Sequence, residues 1–229
     1  MKTLLNALLP LLFITVESAG SSCQNAQTDG IYNISLSSGR VISAYCDVSL
    51  KGSPWLVIQR RVSVDVNFHR NRSSYQRGFG DLDGSFWIGL SHLHEITSEK
   101  RHELYVYLKD FDGEQRFARY DEFAIGNEAN LYGLNKLRKY SGSAGDSLDW
   151  HRSMKFSTYD RDHDTNSTHN CASLFTGARW HNNCYMSNLN GLYLSGEYGM
   201  DQLARGCTWH TWRGLNYAYK TVQMMIRLI

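Results

Sequence analysis

The chain has 229 residues, with 24 Lys and Arg against 22 Asp and Glu and a formal charge of +2. That length suits one large domain or two small ones, and 42% hydrophobic with 20% charged residues excludes wholesale disorder. The near-neutral balance gives no global field to hold nucleic acid, and two prolines beside 19 glycines exclude a collagen stalk or a Pro-rich linker.

In chain order, Lys2 is followed by an apolar stretch over residues 4–16 and small residues at Ser18, Ala19 and Gly20. A charged start, a short apolar middle and a small-residue zone read as a secretory signal peptide over residues 1–20. A membrane anchor is the alternative, but the stretch is short for a span of ~20 apolar residues. Three Asn-X-Ser/Thr sequons, at Asn33, Asn71 and Asn166, are candidate glycosylation sites on that route.

Trp55-Leu56-Val57-Ile58, after a Gly52-Ser53-Pro54 turn, reads as a strand buried on both faces, and residues 86–90 read similarly. Ser91 is a candidate cap for a helix through Ile96. Leu104, Val106 and Leu108 alternate with Tyr105, Tyr107 and Lys109, a turn follows at residues 110–114, and Phe117 and Arg119 resume the alternation. That pattern predicts a hairpin. Residues 131–140 suggest a further helical turn or two. From residue 141 the chain is rich in loop-forming residues, at 141–146, 160–170 and 180–191, before a last strand that places Val222, Met224, Ile226 and Leu228 on one face. Loops on a rigid scaffold are where binding sites concentrate.

The five cysteines are Cys23, Cys46, Cys171, Cys184 and Cys207, and none forms a C-x-x-C pair. A zinc ribbon or thioredoxin-type site is therefore not expected, and outside the cell the cysteines should oxidise. Nearest-neighbour pairing, Cys23 with Cys46 and Cys171 with Cys184, closes two short loops, although spacing alone does not fix connectivity. Cys207 is left as either a buried thiol or an intermolecular disulfide that would make a dimer.

Asp160-Arg161-Asp162-His163-Asp164 sets three carboxylates at alternate positions in an irregular loop. They are either ligands for Ca²⁺, which favours hard oxygen donors, or a solvated acidic loop. The sequence is not an EF-hand, because Thr165 and Cys171 stand where that loop needs Gly and Glu. Aromatic residues surround the second cysteine pair: Phe175, Trp180, Tyr185, Tyr193, Trp209, Trp212, Tyr217 and Tyr219. They are either core or the walls of a sugar or acetyl pocket. No G-x-S-x-G or H-E-x-x-H occurs, and an enzyme is not expected.

Several motifs then occur in order: Trp55-Leu56-Val57-Ile58-Gln59-Arg60-Arg61, Tyr75-x-x-Gly78-Phe79-Gly80, Gly84-Ser85-Phe86-Trp87-Ile88-Gly89-Leu90, Tyr140-Ser141-Gly142-Ser143-Ala144-Gly145-Asp146, Phe156-Ser157-Thr158, Asn170-Cys171-Ala172 and Cys184-x-x-Ser187-Asn188-Leu189-Asn190-Gly191. Together they resemble the fibrinogen C-terminal, or fibrinogen-related, domain over residues 21–229. The resemblance implies an α+β fold: a small N-terminal subdomain, a central antiparallel sheet with short helices, and a loop-rich C-terminal subdomain. It implies the Cys23–Cys46 and Cys171–Cys184 bonds. It also implies Ca²⁺ held by the side chains of Asp162 and Asp164 and by backbone carbonyls near Asn166 and Thr168, with Asp160 supporting.

The same resemblance implies a cis Asn183–Cys184 peptide whose turned-out N–H donates to a ligand carbonyl, in a pocket walled by Phe175, Tyr185, Leu203, Ala204 and Leu215. The family includes ficolin and tachylectin lectins that bind N-acetylated sugars, and angiopoietin-like receptor ligands. Phe175 lacks a hydroxyl, Tyr185 stands where acetyl-binding members usually carry His, and Leu215 stands at a later pocket tyrosine, so the pocket keeps its apolar body and loses polar tips. Two readings follow. One is a secreted, calcium-dependent lectin-like protein of innate defence that binds acetylated carbohydrates or similar ligands. The other is a secreted protein-binding ligand or extracellular-matrix component acting through a receptor.

Overall fold

A computed structural model describes residues 22–50 and 54–229; the expected signal peptide lies outside the described residues. The first half of the sequence forms β1 (Gly30–Ser35), β2 (Val41–Asp47), β3 (Trp55–Arg61), α1 (Arg72–Arg77), β4 (Phe79–Gly80), β5 (Phe86–Trp87), α2 (Leu90–Glu99), β6 (His102–Lys109) and β7 (Gln115–Ile125). Then come β8 (Leu134–Gly142), α3 (Cys171–Leu174), β9 (Ser187–Asn188), β10 (Gly196–Glu197), β11 (Thr208–Trp209), α4 (His210–Arg213), β12 (Tyr217–Ala218) and β13 (Thr221–Leu228). This is the α+β architecture expected, and no helix among the described residues is long and apolar enough to cross a membrane.

The main sheet runs β1-β2-β3-β13-β6-β7-β8, with β5 against β3 and β4 against β5, and its pairs are antiparallel. Every residue of β3 is buried, as its unbroken apolar run predicts. The C-terminal strand β13 lies between β3 and β6, with Ile226 opposite both Leu56 and Leu104. Residues 222–226 are consecutively buried, because a central strand covered on both faces does not need the one-sided alternation expected for it. The predicted hairpin forms with Tyr107 opposite Phe117, and Asp110 Oδ1 accepts from the Glu114 N–H at 2.8 Å in its turn.

Two local expectations are corrected. The helix expected to be capped by Ser91 is capped two residues earlier, at Gly89 with φ 106°, a conformation that favours glycine. Ser91 Oγ instead hydrogen-bonds the Tyr132 hydroxyl at 3.0 Å. The stretch expected to be helical at 131–140 is mostly strand β8. Pairing with β7 overrides local propensity there: Arg138 lies opposite Glu122 and Leu137 opposite Phe123, and Glu122 takes ion pairs from Lys136 at 3.5 Å and Arg138 at 3.1 Å.

Between sheet and loops, Phe156 packs against Tyr75, Trp87 and Trp180. The buried indoles of Trp87 and Trp180 donate to the carbonyls of Tyr75 at 2.9 Å and Tyr132 at 2.7 Å. Trp180, Trp209 and Tyr219 are therefore core, not pocket wall.

Both expected disulfides form, Cys23–Cys46 and Cys171–Cys184. Of the two alternatives for Cys207, burial favours the enclosed thiol over the intermolecular disulfide. This thiol is free but fully buried, its Sγ donates to the Leu189 carbonyl at 2.9 Å, and burial pushes its pKa up. Thiolate formation and access are both suppressed. The native protein should therefore run as a monomer on non-reducing electrophoresis and take up maleimide at Cys207 only after denaturation. Rapid labelling of the folded protein would show that the thiol reaches the surface.

Candidate functional site

Residues 156–184 are held by short-range contacts that together build one site. Ser157 bridges to Arg179 in antiparallel register, which lays the acidic loop beside the segment that leads to Cys184. Within the loop, Asp160 does not face the other carboxylates. It accepts from the Arg72 N–H at 2.8 Å, at the start of α1, and from Thr158 Oγ1 at 2.7 Å.

Asp164 is the centre of the loop. Its Oδ1 accepts from the Asn166 N–H and its Oδ2 from the Cys171 N–H, each at 2.8 Å. Asp162 Oδ1 accepts from the Asp164 N–H at 3.2 Å. Burial pushes the Asp164 carboxyl pKa up, and the neighbouring Asp162 charge pushes the same way against the two backbone donors. Among the described residues no cluster of three or more His, Cys, Asp or Glu side chains forms a metal site. The loop supplies two neighbouring carboxylates, so any further ligands would be backbone carbonyls and water. That donor set suits Ca²⁺, a hard cation, and not zinc.

The loop is tied to the hook twice. Asn166 Nδ2 donates to Asn183 Oδ1 at 2.8 Å, and Thr165 Oγ1 donates to Asn182 Oδ1 at 2.6 Å. A third, covalent path runs from the Asp164-bound Cys171 through the disulfide to Cys184. The Asn183–Cys184 peptide is cis. Thr168 turns inward to Asn166, its N–H and Oγ1 both donating to Asn166 Oδ1 at 2.9 Å.

Beside the hook, the Phe175 ring stands edge-on to the Tyr185 ring, with centroids 5.0 Å apart. Asn188 clamps this wall: its Nδ2 donates to the carbonyls of Phe175 at 2.9 Å and Ala204 at 3.4 Å. The Ala204 N–H in turn donates to the Leu215 carbonyl at 3.0 Å. Phe175, Ala204 and Leu215 are thus brought together. Ala204 is buried, whereas Leu203 is 39% exposed on the rim. Tyr185 is largely buried, and its hydroxyl lies inward near Thr208 and Asn188 with no well-formed hydrogen bond.

A family model, described as the C-terminal globular domain of the fibrinogen beta and gamma chains, matches residues 17–228. The protein belongs to this family. Ficolin-3 of Homo sapiens is 42% identical over 205 residues, covering 89% of this sequence and 67% of the relative. Microfibril-associated glycoprotein 4 of Bos taurus is 40% identical over 210 residues, covering 89% and 81%. The solved fibrinogen-like globe domain of human ANGPTL6 superimposes with a TM-score of 0.88 at 37% identity, covering 94% of this protein and 99% of that one.

Within this fibrinogen-like globe, sequence reasoning missed Asn188 as the clamp, although it stands inside a quoted motif. Its signal is glycine spacing. A Cβ at Gly177 would sit 2.0 Å from Asn188 Oδ1, and one at Gly191 would sit 2.7 Å from Asn188 Nδ2. Thr165 and Asn182 were also missed, since a side-chain pair 17 residues apart in two loops leaves no periodic trace. Of the sequons, Asn33 is exposed on edge strand β1 and Asn71 caps α1. Asn166 commits its Nδ2, the nitrogen a glycan would occupy, to Asn183.

Two buried histidines tie together the backbone on either side of the 183–184 segment. His151 Nδ1 meets the Trp180 carbonyl at 2.7 Å and its Nε2 accepts from the Met186 N–H at 3.2 Å, while His181 Nε2 meets the Gly177 carbonyl at 2.7 Å. Burial lowers both pKa values, His181 to about 3 from the ordinary 6.5. A folded pKa below the unfolded one means that the unfolded state binds the extra proton, so stability falls as pH drops below 6.5. By pH 5 the His181 contribution alone should reach about 2 kcal/mol. Urea midpoints should therefore fall between pH 7 and pH 5, and less so in His181→Gln; a flat profile would show that these imidazoles protonate freely in the folded protein.

Proposed function

We propose that the protein is a secreted, calcium-dependent, lectin-like recognition protein. It binds acetylated carbohydrates or similar carbonyl-bearing ligands in innate defence. The observation that carries this reading is the double tie, through Asn166 and through the disulfide, of the Asn183–Cys184 segment to the Asp162–Asp164 loop beside the Phe175–Ala204–Leu215 wall. In this reading the Cys184 N–H donates to the ligand carbonyl, and the apolar wall takes the adjoining methyl group. Asp162 and Asp164 would hold Ca²⁺, with carbonyls near Asn166 and Thr168. The bound ion would neutralise the two carboxylates and fix the loop from which the hook is tied. Secretion is supported by the apolar leader and by two disulfides, and similarity to ficolin-3 favours a lectin.

A second reading is a secreted ligand or matrix component that grasps a protein receptor. Specific observations favour it: the Tyr185 hydroxyl faces inward, and the side chains of Leu174, Met200 and Leu203 are exposed at 41%, 72% and 39%. Similarity to a microfibril-associated glycoprotein and to an ANGPTL6 globe points the same way.

Binding to an immobilised N-acetylated sugar separates the two. On the lectin reading, chelation should weaken retention about tenfold or more, and free acetylated compounds should compete. Asp164→Asn should weaken it similarly. Retention indifferent to chelator would break the proposed coupling. Absence of retention, with sugar-insensitive capture of a single cell-surface protein, would select the second reading.

A further inference from the structure

A second cavity, of about 350 Å³, lies between the 64–69 segment and Thr176 with residues 191–193. It is separate from the hook but shares its wall, because Thr176 directly follows Phe175. No Asp or Glu lines it. Its lining includes Arg61, the last residue of β3, whose side chain is only 2% exposed.

Arg61 is an unusual buried charge. Its Nη1 donates to the Gly191 carbonyl at 2.7 Å and the Leu189 carbonyl at 3.3 Å, and its guanidinium carbon lies 4.0 Å from the Phe68 ring centroid. Gly191 and Phe68 also line the cavity. Its Nε is buried without a hydrogen-bond partner. Among the described residues no carboxylate forms an ion pair with it. Buried guanidinium groups normally meet a carboxylate, because neutral carbonyls and a ring face do not fully replace water around a full charge. The other cavity walls divide in the same sense. Val66, Phe68 and Leu192 offer apolar faces, whereas Asn67 and Thr176 offer polar groups.

The geometry points to an anionic saccharide subsite, in which the carboxylate or sulfate of one acidic sugar ring meets Arg61 and the ring itself lies on the apolar wall. With Nη1 committed to two carbonyls and Nε buried, Nη2 is the donor left to an oxyanion, which takes from it a charge-assisted hydrogen bond. The cavity is near the lower size limit for small-ligand sites, which suits one ring and not a folded peptide. An acidic sugar one residue away from the group held at the hook could reach it across the Phe175–Thr176 wall, but this subsite also stands alone.

The test is calorimetry at low salt with methyl glucuronide, glucose 6-sulfate and neutral methyl glucoside. The expected result is saturable binding of an acidic sugar, weakened by added salt, with no binding of the neutral one. Arg61 is structural as well, so the decisive variant is Val64→Glu. Val64 lines the cavity and is 72% exposed, so this change adds a negative charge at the mouth without touching the core. It should leave the melting temperature unchanged and weaken the acidic sugar about tenfold or more. The proposal is overturned if no acidic sugar binds, if the neutral sugar binds equally, or if Val64→Glu makes no difference. Equal competition by free acetate or sulfate, or tighter binding of a capped acidic dipeptide, would overturn the saccharide assignment. Retention on the acetylated resin, read in the same variant, reports the hook independently.

Discussion

The Asp164 carboxylate holds the C-terminal loops together. One of its oxygens fixes Asn166 and the other fixes Cys171, and each of those residues reaches Cys184 by its own route. A half-buried carboxylate with a second one beside it is a poor arrangement in isolation, as the raised pKa of Asp164 indicates. It becomes a good one around a divalent cation. The backbone of the hook is therefore placed by the same side chain that would answer to the ion, which gives a physical route for coupling between two sites. No conformational wire beyond three hydrogen bonds and one disulfide is needed.

The sheet contributes rigidity. With β13 between β3 and β6, the C-terminal strand completes the core, and residues 143–220 are anchored at one end to the edge strand β8 and at the other to the central strand β13. Neutral buried histidines and the Asn188 clamp continue that rigidity up to the pocket wall. Close approach there is permitted by Gly177 and Gly191, whose missing side chains leave room for Asn188. Substitutions at these glycines act on the pocket through packing, although neither residue need touch a ligand.

How much was legible in the sequence follows from how local each signal is. The unbroken run of β3 and the alternation of β6 carry their own periodicity, and both strands form where expected. The 131–140 segment carries no such signal; its strand exists because β7 offers a partner, which a local reading cannot see. For Cys207 the sequence leaves a buried thiol and an intermolecular disulfide equally open, and it is the packing that favours the enclosed thiol. At the candidate site, the acidic spacing and the family motifs led to Asp162, Asp164, Asn183 and Cys184. The side chains that join the two loops, Thr165 with Asn182 and Asn166 with Asn183, meet only once the backbone has turned twice. Asp160 shows the converse: its spacing matches its neighbours, yet its carboxylate accepts from the Arg72 N–H, the first amide of α1.

The coupling can be read directly from backbone amide resonances during a calcium titration of the ¹⁵N-labelled protein. The account predicts that the Cys184 and Tyr185 amides shift with the same midpoint as those of residues 162–168, and that Asn166→Ala diminishes the response at residues 183–185. A titration in which the acidic loop responds while residues 183–185 stay unmoved would contradict it.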